Sequence, residues 1–285
     1  MMKVTILTEN TVYKRGLLGE HGLSLLVDTG RQRYLFDTGQ SRVFVHNAAK
    51  LGIDLKGLDG VILSHGHYDH GGGLEYWQEL GNVPIYVQEK AFEKKYNENS
   101  RTGKLYYIGL EDKGGWQKKA DVRKLSGGGT QIADGVYLLS EIPYTTHFEP
   151  VPGCFWKFGL QHPGDELLVD KMEDEQLLVI EAEEGLCVFA GCAHAGIINC
   201  LRYVQTIFPG KHIHCLVAGM HLKNSDAGRI EETIRALKEI KIDIVVPVHC
   251  TGICAIAKMR ESLGSVCILP EVGKEIAIEN KWREK

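Results

Sequence analysis

Short apolar runs separated by Gly, Asp and Thr open the chain. "KVTILTE", "GLSLLVDTG" and "RYLFDTGQ" predict three strands, with a hairpin around Thr29-Gly30. Ser41 stands as an N-cap before "RVFVHNAAKLG", whose apolar spacing and terminal Gly52 predict a helix. "GVILS" reads as a buried strand, "GLEYWQELG" as a short helix and "PIYVQ" as another strand. Residues 96–135 break this pattern. They are rich in Gly, Lys and polar residues without a long apolar period, and are expected to form an insertion or lid rather than a separate domain. The second half is regular. "LLVIEAEEGLCVFAG" predicts two strands around Glu184-Gly185, followed by helix "GIINCLRYVQTIF", strand "IHCLVAG" and helix "AGRIEETIRALKEI". Strand "IDIVVPV", helix "GICAIAKMRESLG" and a final strand "SVCILP" complete it. Alternating strands and helices predict α/β layering, and the early hairpins make the sheets mixed rather than doubly wound and parallel.

Composition narrows the class. With 285 residues, 44% apolar and 25% charged, the chain can bury a sizeable core as a single domain over 1–285. A net charge of −4 gives no global attraction to nucleic acid or an anionic membrane. No apolar run approaches the ~20 residues of a membrane span. The N-terminus enters a strand pattern without the features of a signal peptide, so a cytoplasmic location is expected. The eight cysteines form no short framework and are expected to be free thiols, mostly packed as small hydrophobes.

The histidines change the picture. Strand "VILS" runs into His65, His67, Asp69 and His70; "LCVFAGCA" ends at His194, "HCLVAGM" at His221 and "IVVPV" at His249. Ligands bind at the carboxyl ends of strands in α/β sheets, where loops converge. Neutral imidazole and carboxylate suit zinc, and also iron or manganese. His65 and His67 can reach one ion if the chain turns at Gly66, with Asp69 and His70 facing a second position. Gly71-Gly72-Gly73 lets the backbone pass close to the site. His21, His46, His147, His162, His212 and His214 lack this setting and are expected to be structural or surface residues.

"HGHYDH" resembles the H-x-H-x-D-H signature of the metallo-β-lactamase superfamily, and "YLFDTG" resembles its first motif, with Asp37 as a supporting carboxylate. The resemblance implies a four-layer αββα sandwich with two mixed β-sheets and a metal centre at one edge. It implies His65, His67 and His194 on one divalent ion, and Asp69, His70 and His249 on another, with zinc foremost and manganese or iron as alternatives. "LTEN", "EHGLSLLVD", "GCAHAGIIN", "GMHL" and "VHCTG" are similar to the branch of dihydropterin–ribofuranosylaminobenzene phosphate synthase-like proteins.

One departure stands out. Many members bridge the two metals with an Asp from a strand end in the second half; here Cys192 and His221 are the available candidates. Either His194 is the third-motif ligand and the bridging carboxylate is absent, or "GCAH" aligns with the bridging motif and an upstream ligand is missing. The implied function is metal-dependent hydrolysis or transfer through an activated hydroxide, at a phosphoester of a small, anionic, pterin-related substrate. Asp69 would orient the hydroxide and His221 would contact a developing oxyanion. Arg101, Lys104, Lys118, Lys119, Arg123 and Lys124 form a basic scatter that could attract an anion, or could simply be a solvated loop. Thioester or lactone hydrolysis, a mononuclear iron thiol oxygenase and a metal-dependent ligand sensor are the competing functions.

Overall fold

The computed structural model describes residues 2–158 and 166–278, so His162 lies outside the described residues. Among the described residues there are three sheets. The first has seven strands, ordered Glu275–Ile278, Met2–Thr8, Ser24–Asp28, Arg33–Phe36, Gly60–Ile62, Ile85–Gln88 and Val122–Leu125. The second has six, ordered Ile244–Val248, Ile213–Gly219, Gly185–Ala190, Gln176–Ala182, Val136–Ser140 and Gly129–Ala133. A small third sheet joins Leu167–Val169, Phe155–Phe158, Lys94–Glu98 and Leu105–Tyr107.

Strand periodicity builds the layers. Along Ser24–Asp28, Leu25 and Val27 face the core between the two large sheets, while Leu26 faces the outer core under the helices. Cys187 and Phe189 likewise point between the sheets, and Leu186, Val188 and Ala190 point outward. Helix Val43–Lys50 contributes Phe44 and Ala48 to the outer core of the first sheet. Helices Ile197–Ile207, Ala227–Ile240 and Ile253–Leu263 cover the second sheet. The order is therefore helix, sheet, sheet, helix, with both large sheets mixed. Among the described residues, no helix is long and apolar enough to cross a membrane.

The expected elements depart from the structure in four places. Helix Val43–Lys50 is capped at Arg42; Ser41 Oγ instead accepts from Val43 N and donates to Glu20 Oε2. "GLEYWQELG" winds as a 3-10 helix, Gly72–Leu80. "SVCILP" makes only a single bridge, between Cys267 and Val245. The last strand comes later, as Glu275–Ile278 paired antiparallel to Met2–Thr8, where its short alternation gives little periodic signal. Finally, residues 96–135 split. Only their first part joins the small sheet, because Val122–Leu125 completes the first large sheet and Gly129–Ala133 the second. Trp116, ahead of both strands, is fully buried and packs on Phe92. Leu110 is buried in the same outer core, and these two side chains anchor a stretch that is mostly exposed or half-buried.

Candidate metal centre

The loops after four strand ends meet in one place. His65, His67 and His194 each bring a ring nitrogen within 4.8 Å of the others. His65 Nε2 and His67 Nδ1 are 3.0 Å apart, and the His194 ring lies 4.9 Å from that of His65 and 5.0 Å from that of His67. Asp69, His70 and His249 lie in two further groups, His70 with His65 and Cys192, and Asp69 and His249 with His21. Asp69 Oδ2 lies 3.3 Å from His249 Nε2 and 3.3 Å from His21 Nε2. His70 Nε2 lies 3.1 Å from Cys192 Sγ, and its ring is 4.9 Å from that of His249. Cys192 groups with His65 and His70, whereas His221 stacks beside His194 at 4.5 Å and groups with Cys192 and Cys250. The loop "GCAH" thus delivers two side chains at once, Cys192 between the two clusters and His194 to the three-histidine group.

A buried scaffold fixes these rings. Asp37 Oδ2 accepts from His70 Nδ1 at 2.7 Å and from Ser64 Oγ at 2.7 Å, while Asp37 Oδ1 accepts from Ser64 N. Ser64 Oγ in turn accepts from His65 Nδ1 at 2.9 Å. With both Nδ1 atoms turned to this network, His65 and His70 direct their Nε2 atoms toward the centre. His249 Nδ1 donates to Asn10 Oδ1 at 3.0 Å, which leaves its Nε2 free. Glu175 accepts from the backbone N–H groups of His194 and Ala195. Strain concentrates here: Asp37, Ala193, His221 and His249 all adopt positive φ, a conformation rarely held by non-glycine residues without a compensating gain.

The small sheet is tied to this scaffold by a buried ion triad. Lys95 Nζ donates to Asp170 Oδ2 at 2.7 Å and Asp174 Oδ1 at 2.8 Å, and Asp174 Oδ2 accepts from Gly66 N at 2.7 Å. Lys95→Met is expected to leave two buried carboxylates uncompensated and lower stability by about 3–5 kcal/mol. A denaturant midpoint unchanged by that substitution would contradict the reading.

The donor atoms fit a divalent ion. His67 Nε2, both ring nitrogens of His194, His249 Nε2 and His221 Nδ1 are buried without a hydrogen-bond partner. Unpaired buried polar atoms are costly, and several converging lone pairs are what a cation satisfies. Burial also keeps the imidazoles neutral, as ligands must be: it pushes His67 down to about 3 and His65 and His194 well below their ordinary value. His70 differs. Burial would depress it, but Asp37 and Asp69 outweigh that and raise it to about 9. Burial would likewise raise Asp69, yet His70 and His249 hold it well below the usual carboxylate range.

A pH dependence follows for the metal-free chain. Unfolded histidine takes a proton near 6.5, whereas folded His67 does so only near 3. The unfolded state therefore binds more protons in that window, and stability is expected to fall as pH drops through it. His70, shifted the other way, acts only above 6.5 and leaves the window clear. Urea titrations of chelator-treated protein at about pH 7 and about pH 5 check this; equal or greater stability at the lower pH would contradict it.

A cavity of about 370 Å³ opens onto the cluster, lined by His21, Asp69, Cys192, His194, His221 and His249 among others. The small sheet supplies its roof with Asn97, Tyr106 and Phe155. A larger cavity, about 580 Å³, lies around Arg31 and Glu181–Glu184, and none of its lining residues is a histidine or cysteine. The basic scatter expected to draw an anion is not part of the site cavity's lining: Arg123 pairs with Asp121, and Lys124 and Lys104 sit over Phe92 and Tyr106. The cation that does line it is Lys223.

Sequence reasoning missed His21, which sits in "EHGLS" with no strand end to announce it, and Cys250, hidden beside His249. Asn10 lies in "LTEN" and acts by holding His249. Lys95, Asp174 and Glu175 carry no local signal, because their partners are distant in sequence.

The chain matches the family model of the metallo-beta-lactamase superfamily over residues 18–249. It is 30% identical over 267 residues to the 7,8-dihydropterin-6-methyl-4-(beta-D-ribofuranosyl)-aminobenzene-5'-phosphate synthase of Methanocaldococcus jannaschii, covering 88% of each chain. Among solved structures, Tm1679, described as a metal-dependent hydrolase of the beta-lactamase superfamily, matches with a TM-score of 0.84 and 32% identity. That match covers 98% of this chain and 100% of the other. Zinc-bound PqqB from Methylobacterium extorquens shares the fold, with a TM-score of 0.56 at 13% identity over 96% of this chain and 99% of that one. The chain belongs to the metallo-β-lactamase superfamily, in the branch that resembles dihydropterin–ribofuranosylaminobenzene phosphate synthase.

Proposed function

We propose that this chain is a metal-dependent hydrolase or transferase acting on a phosphoester of a small, anionic, pterin-related substrate. The observation that carries the reading is the convergence of three neutral imidazoles, His65, His67 and His194, of which His67 and His194 carry unpaired nitrogens and line an accessible cavity. His65, His67 and His194 would hold one divalent ion; Asp69, His70 and His249 would hold the second. Cys192, beside His65 and His70, would take the bridging position in place of an aspartate, and His221 would not. A donor set of imidazole, carboxylate and thiol favours zinc over the harder manganese. When bound, such ions activate water at neutral pH and polarise a phosphoryl oxygen.

The chain's own residues do the rest. Asp69, held ionised, would accept a hydrogen bond from the attacking water and orient it. His221 is raised above its ordinary value: burial would lower it, but its contact with Cys250 prevails. It can therefore donate a hydrogen bond to a phosphoryl oxygen from across the cavity. Lys223 supplies positive charge for an anionic group, and Tyr106 and Phe155 offer flat apolar surface for a fused heterocycle. The pterin in the Methanocaldococcus relative's name agrees with such a lining.

A panel of phosphodiesters, phosphomonoesters, thioesters and lactones, run on metal-reconstituted protein, tests the reaction class. Turnover confined to phosphoesters supports the proposal. Turnover confined to thioesters or lactones, or pterin binding without turnover of any ester, overturns it.

A further inference from the structure

We infer a second, independent divalent-cation site at the opposite edge of the six-stranded sheet, formed by His212, His214 and Asp243 and suited to zinc. His212 and His214 are two residues apart at the start of the Ile213–Gly219 strand, so their side chains share one face. Asp243 immediately precedes the neighbouring parallel strand Ile244–Val248, whose Ile244 pairs with Cys215. That register sets the carboxylate beside His214. His212 Nε2 lies 2.7 Å and His214 Nδ1 2.8 Å from the same oxygen, Asp243 Oδ2, and the three donor atoms lie within 4.8 Å of one another.

Without metal, this arrangement requires both imidazoles to donate a proton to one carboxylate oxygen. A divalent ion would take the place of these two N–H contacts, with each ring's proton on its other nitrogen, so that two neutral imidazoles and a carboxylate hold it, a donor set that suits zinc. His214 is 4% exposed, and its Nε2 is buried with no partner. Its ring is therefore locked with Nδ1 facing the cluster. His212 and Asp243 are about half exposed, which gives an ion a path in and leaves positions for water. A cavity of about 550 Å³ adjoins the cluster, and Glu184 in its wall offers a further carboxylate. The strand between this cluster and the central one spans on the order of 20 Å, so the two sites share no ligand.

Zinc titration of the full chain, followed through the imidazole nitrogens by long-range proton–nitrogen spectra, tests the assignment. His212 Nε2 and His214 Nδ1 are expected to shift together, and elemental analysis of dialysed protein should show about one zinc per chain fewer in His212→Ala and in Asp243→Asn. Both substitutions fall at half-exposed positions, and the imidazole spectra of the unaltered chain stand even if a variant unfolds. Resonances of His212 and His214 that do not move at saturating zinc overturn the site, as does zinc content equal to wild type in both folded variants.

Discussion

Replacing His67 or His194 with alanine is expected to remove the ion held by the three-histidine cluster and lower hydrolytic turnover at least about a thousandfold, the rate equivalent of about 4 kcal/mol. Each substitution leaves two of the three imidazoles of that cluster. His221 lies beside His194, but it groups with Cys192 and Cys250 rather than with His65 and His67. Both residues are nearly fully buried, so the variants also create small cavities. Loss of metal must therefore be read against retained secondary structure. Elemental analysis with circular dichroism provides that pairing, and full metal stoichiometry in both variants would sink the cluster as a metal site.

The second large effect is expected at Asp37. Its carboxylate is completely buried and orients His70 directly and His65 through Ser64. Asp37→Asn keeps the shape, and asparagine tolerates the φ of +60° found there. It removes the negative charge that holds the Nδ1 proton of His70, and it places an amide donor where an acceptor is needed. Metal affinity is expected to fall about 10–100-fold. Stability should drop by about 3–5 kcal/mol, since a buried charged pair loses one partner. Ser64→Ala removes only the arm to His65 and should cost less on both counts. Equal losses in the two variants, in metal titration and urea unfolding, would show that Asp37 does not serve both histidines.

Much of this centre was legible before the fold. Strand ends are readable from short apolar runs, and a histidine just past one lands at the ligand-binding edge of an α/β sheet. That logic located His65, His67, His70, His194 and His249, and Asp69 with them. It failed where position depends on tertiary contact. His21 reaches Asp69 from a loop with no periodic pattern, and Cys250 is small and apolar enough to pass for core packing. In "GCAH", His194 groups with His65 and His67 while Cys192 groups with His65 and His70 and also with His221 and Cys250, because residues two apart on a tight turn can face neighbouring clusters. The polar stretch 96–135 misled for a related reason. Its strand Val122–Leu125 is half exposed at a sheet edge and its buried apolar side chains, Leu110 and Trp116, are isolated from one another in sequence, so hydrophobic periodicity had little to register. His212 and His214 looked like surface histidines, and only the register of two parallel strands brings Asp243 to them.

The central claim is that two divalent ions sit at the meeting point of these strand-end loops. An anomalous-scattering map of metal-loaded crystals tests it most directly. The account predicts one peak ligated by His65, His67 and His194, and a second by Asp69, His70 and His249 with Cys192 beside both. A map with no peak among these residues, or with a peak at only one of the two positions under saturating metal, would contradict it.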